Sequence, residues 1–180
     1  SIVERYDVSS ALLVTMPSTA KVPSDAVVVP DLPMEFQGSD STGSDPVNTH
    51  RQTTQIPKGV DGAGVTVALV DTGVAQTGEV NVKHVNVSGG EEGDGLGHGT
   101  FLAGLIAGSG AASNGAYVGA APGAKVLDVQ VAKADGSTSL SRVLKGLEVV
   151  AKQAKKDKSL KVVNPALSTG SPLPPWHDPL

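Results

Sequence analysis

GVTVALVDTGV, residues 64–74, is aliphatic and β-branched from Val65 to Val70 and then stops on Asp71, Thr72 and Gly73. A continuous apolar run, rather than an alternating one, is the pattern of a strand covered on both faces, as in a parallel sheet between helices. KVLDVQVA at 125–132 and KVVNPALS at 161–168 have the same character. The stretches between them carry helical periods. HGTFLAGLIAG, residues 98–108, predicts a helix whose Ala and Gly residues let it approach its neighbours closely. Leu140, Val143, Leu144, Leu147 and Val150 follow the three-and-four spacing of a buried stripe, which predicts a second helix from about Ser141 to Lys156, capped by Ser139 or Ser141. The expected fold class is α/β, a parallel sheet flanked by helices that supply its crossovers.

Outward from this body the composition changes. Residues 1–57 hold three Lys/Arg against seven Asp/Glu, whereas 58–180 hold eleven of each, so the net charge of -4 resides in the first part. No basic field suggests nucleic acid or an anionic membrane, and the lysines at 152, 155, 156, 158 and 161 read as the crown of a helix C-terminus. No apolar run reaches the length of a membrane span. Cysteine is absent from the 180 residues, which excludes a disulfide framework and a thiol nucleophile. SALLVTMP and AVVVPDLP read as short strands, and the Gly, Ser, Asp and Thr stretch from Gln37 to Gln55 as a linker. The boundary is expected near Pro57, and a chain opening on Ser1 is expected to be processed or cut from a longer one.

Asp71 admits three readings. It can be a strand-ending turn residue accepting the amides of Thr72 and Gly73, half of a carboxylate pair of the aspartic protease kind, or the acid partner of a histidine. A carboxylate pair needs a second Asp-Thr-Gly turn or a symmetric dimer, and the sequence has no second turn of that kind. GDGLGHGTF, residues 93–101, brings His98 to a helix start through four glycines, which lets backbone come close to a ligand or partner. A histidine so placed is suited to proton transfer near neutral pH; the plain alternative is a surface loop answering only to turn geometry.

Together these segments resemble the subtilisin-like serine proteases, the subtilases, over most of residues 58–170. The stretch 118–152, VGAAPGAKVLDVQVAKADGSTSLSRVLKGLEVVAK, is similar to the segment on the C-terminal side of the histidine in that family. The resemblance implies that Asp71 orients His98 and that His98 takes the proton of a serine hydroxyl. It implies a cleft in which Gly136, Ser137 and Thr138 flank one side of an extended peptide, Leu140 lines an apolar subsite, and Ala166, Leu167 and Ser168 flank the other. The substrate would then be held as an added β-strand. The family has a Ser-Leu-Gly-like run where this chain has Ala166, Leu167 and Ser168, a departure in the cleft wall. The Gly-Thr-Ser segment that carries the family's nucleophile has no counterpart in residues 1–180, and Ser168 and Ser171 lack its setting. The expected partner is therefore a complementary polypeptide carrying the serine, and residues 1–180 alone are not expected to hydrolyse peptides.

YDVSSALLVTMP and DAVVVPDLPMEF resemble the last strands of a subtilase propeptide, which gives an expected layout of 1–40 propeptide-like, 41–57 linker and 58–180 the N-terminal portion of the catalytic domain. A strand pair added to the sheet edge is the other reading of this segment. His50, His84 and His177 read as solvated, with no second ligand at metal spacing. SGAASNGAYVG, 109–119, lies where some subtilases carry a calcium loop but has no carboxylate, so neither metal nor cofactor is expected. The resemblance also implies a secreted or cell-surface protein.

Overall fold

The computed structural model describes residues 1–36, 51 and 54–170. The linker expected at 41–57 lies largely outside these residues, as do His50, Ser171 and His177.

The centre is a four-stranded parallel sheet. Its strands are β4 (Thr66–Asp71), β5 (Val82–Asn86), β6 (Lys125–Gln130) and β8 (Leu160–Pro165), in the spatial order β5-β6-β4-β8. Every residue of β4 is buried, as its unbroken apolar run requires. Helix α1 (His98–Ala107) covers one face, where Leu69, Val74, Ala103, Ala107 and Val126 pack together. Helix α2 (Leu140–Lys156) covers the other with Leu140, Val143, Leu144 and Val150 against Ala68, Val70, Leu127 and Val129. Both helices fall within a residue or so of their expected limits. Lys155 and Lys156 stand in the last turn of α2, where a cation favours the helix dipole.

The N-terminal segment differs in detail from its sequence reading. Strands β1 (Ile2–Tyr6) and β2 (Ala11–Val14) form an antiparallel pair, and the third strand is β3 (Pro33–Phe36). Residues 26–30, AVVVP, form no strand. Pro23 and Pro30 remove backbone donors there, and only Val29 packs against the core. The hairpin lies against α2: Tyr6 is buried, the Val8 N–H donates to Glu148 Oε1, and Glu4 pairs with Lys145 at 3.2 Å. Burial, together with the Glu4 and Asp31 carboxylates, pushes the Tyr6 hydroxyl up to about 12.

Neither serine caps α2 in the expected way. Asp31 accepts the Ser141 N–H at 2.8 Å and the Ser141 hydroxyl at 2.7 Å, while the Leu140 N–H donates to the Leu32 carbonyl at 2.8 Å. A carboxylate is the stronger acceptor at the positive end of a helix, so the cap comes from 110 residues away in sequence.

β3 then runs between two short strands of the body, β7 (Thr138–Ser139) and β9 (Leu167–Thr169), antiparallel to both.

Candidate active site

Asp71 is the last residue of β4, at the carboxyl end of the sheet where open α/β folds gather their functional groups. Its carboxylate is fully buried. Oδ1 accepts the Thr72 N–H at 2.7 Å and meets His98 Nδ1 at 2.8 Å. His98 opens α1 directly after Gly97, whose φ of 85° is the left-handed turn that a glycine makes without strain. Gly99 comes so close to the Gly73 carbonyl that a side chain there would collide with it. The glycines on either side of the pair therefore set its spacing. Burial pushes the Asp71 carboxyl above its usual range, opposed by the bonds from His98 and Thr72. A proton on His98 Nδ1 leaves Nε2 as the basic nitrogen, the arrangement of a general base whose tautomer is fixed by an acid.

Asp94, which the sequence reading passed over, organises this corner. Its Oδ1 accepts the Thr72 hydroxyl at 2.7 Å and the Gly97 N–H at 2.7 Å. Its Oδ2 accepts the Thr100 N–H at 2.8 Å and the Thr100 hydroxyl at 2.5 Å. Burial works to raise the Asp94 carboxyl, but these donors together outweigh it and hold the group below its usual range. Thr72 also accepts the Gly99 N–H at 2.9 Å, so one threonine and one aspartate tie the turn after β4 to the first turn of α1. The signal in the sequence was the Asx spacing from Asp94 to Gly97 just ahead of a helix start.

The residues expected to form a cleft surround β3. Met34 stands opposite Thr138 on one side and Thr169 on the other; Glu35 is opposite Ser168 and Phe36 opposite Leu167. Met34 is buried in the same cluster as Leu140. Thr138 is also buried, its hydroxyl donating to the Val131 carbonyl at 2.8 Å. Gly136 and Ser137 form the turn before β7, with Gly136 at φ 81°, and Ala166 joins β8 to β9. At the end of β3 the Phe36 ring lies 5.4 Å from that of His98. The extended segment and the acid–imidazole pair thus meet.

His84 is not solvated as its sequence context suggested. Its Nδ1 lies 2.5 Å from Oδ2 of the buried Asp128, across the β5–β6 pairing that brings the two side chains together. The 109–119 loop, which lacks a carboxylate of its own, receives one from elsewhere: Glu79 accepts the N–H groups of Gly110 and Ala112 and the Ser109 hydroxyl. Among the described residues no group of three or more His, Cys, Asp or Glu side chains could hold a metal, and no helix is long and apolar enough to cross a membrane.

Comparison with known proteins adds a match to the subtilase family (Peptidase_S8) over residues 62–178, about two thirds of the chain. The chain belongs to the subtilase family. Among subtilases it is 39% identical over 121 residues to Subtilisin Savinase of Lederbergia lenta, covering 65% of this chain and 41% of that protein. It is 39% identical over 92 residues to Serine protease AprX of Bacillus subtilis (strain 168), covering 48% and 21%. A solved structure of a cold adapted subtilisin-like serine proteinase matches 52% of this chain and 34% of its own at 31% identity, with a TM-score of 0.46. The chain therefore spans between about a fifth and two fifths of these subtilases.

Proposed function

We propose that the chain supplies the aspartate and histidine of a subtilisin-type serine endopeptidase, with the serine contributed by a complementary polypeptide segment. The observation that carries this reading is the buried Asp71–His98 pair facing the end of a strand-shaped cleft. Asp71 holds the imidazole in one tautomer and stabilises its protonated form, and His98 serves as the general base toward the serine. A peptide substrate is bound as an added strand between Gly136, Ser137, Thr138 and Leu140 on one side and Ala166, Leu167 and Ser168 on the other. In this layout residues 1–40 are a propeptide-like segment, 41–57 a linker and 58–180 the catalytic portion. β3 occupies the substrate's place and keeps the cleft closed to other peptides. The protein acts in a secreted or cell-surface setting.

A second reading is favoured by β3 itself, because strand capture between β7 and β9 needs no nucleophile. The chain would then be a peptide-binding or inhibitory module without catalysis. Intact mass of native material followed by a fluorophosphonate probe separates the two. The peptidase reading requires a second, labelled polypeptide or a labelled extension of this chain. A single unlabelled 18.1 kDa species leaves only the binding module. Under the peptidase reading, self-cleavage falls within two residues after Phe36, and N-terminal sequencing of the processed chain reads the position.

A further inference from the structure

Beneath the catalytic corner lies a second acid–imidazole pair. In the parallel register Asp71 is opposite Gln130, and Asp128 is opposite both Leu69 and His84, so Asp71, Asp128, Gln130 and His84 share the face that α1 covers. Asp128 is fully buried. Its Oδ2 accepts the Val74 N–H at 2.8 Å as well as meeting His84 Nδ1, while its Oδ1 meets no donor among the described residues. Val74 follows Thr72 and Gly73 in the turn after β4, and the Thr72 N–H of that turn donates to Asp71 Oδ1. Gln130 holds the neighbouring loop, whose Gly93 carbonyl packs on Gly73: its Oε1 accepts the Gly93 N–H at 3.2 Å and its Nε2 donates to the Glu91 carbonyl at 3.0 Å. Two buried carboxylates thus stand on one sheet face within electrostatic reach of each other, an arrangement in which one takes up a proton unless a cation or a strong donor compensates it.

We propose that His84 and Asp128 are positioning residues for Asp71: Asp128 pins the turn after Asp71 through the Val74 N–H, and the His84 imidazole, bonded to the same carboxylate oxygen, fixes the orientation of Asp128 for that bond. This rests on Asp71 and His98 being the catalytic pair. The titratable group that faces the His84–Asp128 pair from β4 is Asp71. Burial raises the Asp128 carboxyl, the bond and charge of His84 lower it, and the like charge of Asp71 raises it again. His84 is therefore the compensating group.

The test is carboxyl-carbon NMR of the full chain labelled at aspartate, with the low-field ring N–H of His98 recorded alongside; neither readout needs peptidase activity. His84→Gln is expected to move the Asp128 titration up by about one unit or more, and Asp128→Asn to move the Asp71 titration down by about half a unit or more. Both variants are expected to shift the His98 ring proton. Unchanged Asp71, Asp128 and His98 signals in folded variants overturn the proposal. Should either variant fail to fold, the wild-type curves decide: Asp71 and Asp128 must each show a step at the other's midpoint, and two independent single-step curves sink the idea. Coupled titrations without any fluorophosphonate-labelled partner or extension count against the peptidase reading and leave the coupling between the two pairs standing.

Discussion

Asp94 shows how much one carboxylate contributes at a helix start. It receives the Thr100 N–H, one of the donors that α1 leaves unpaired, and also fixes Thr72 and Gly97. Asp94→Ala is expected to destabilise the chain by about 2 kcal/mol, read as a lowered urea midpoint, since it removes a cap and leaves buried donors without an acceptor. The Asp94 carboxyl is held below its ordinary range, so its stabilising contribution is full above that range and is lost as pH falls through the lowered value. Gly99→Ala puts a methyl group onto the Gly73 carbonyl and is expected to cost about 1–3 kcal/mol while lengthening the Asp71–His98 bond, visible as loss of the low-field His98 proton. Asp71 and His98 were legible because each lies in a contiguous turn-plus-element sequence. His84 was not, because its partner is 44 residues away and only the β5–β6 register joins them.

Strands β4, β6 and β8 and both helices could be read from period and burial pattern, since each satisfies its own apolar demand locally. In the N-terminal segment β2 could be read from SALLVTMP, but β1 and the place of β3 could not, because what orders them is long-range: Asp31 at the start of α2 and Glu148 beneath the Val8 N–H. Asp31→Ala is expected to loosen residues 1–36 from the body and fray the first turn of α2, read as faster amide exchange at Ser141. Acid should act in the same direction. The Val8 N–H and Lys152 hold the Glu148 carboxyl below the ordinary glutamate value of 4.5, so its hold on the hairpin is complete above that pH and fades as pH falls through the lowered value. Protease accessibility of β1 and β2 measured from neutral pH downward is expected to rise only once the pH is below the ordinary glutamate value.

At the level of the whole molecule, the sheet formed by the described residues ends on β8. Among the described residues β8 has β4 on one side only, and Val162 and Val163 on it are 48% and 41% exposed. An apolar strand with unpaired backbone groups is a template for another chain, here the complementary segment of the proposed peptidase. Val162→Lys with Val163→Lys is expected to lower concentration-dependent association in light scattering and to prevent complementation by a serine-bearing segment, with little loss of fold. β3 is joined covalently to a hairpin already docked on α2, and it pairs on both sides. An outside peptide making the same ladder bonds must therefore compete with a tethered rival present at an effective concentration of about millimolar. In the proposed peptidase, access to the cleft is then governed less by the peptide's intrinsic affinity than by how readily the first 36 residues let go.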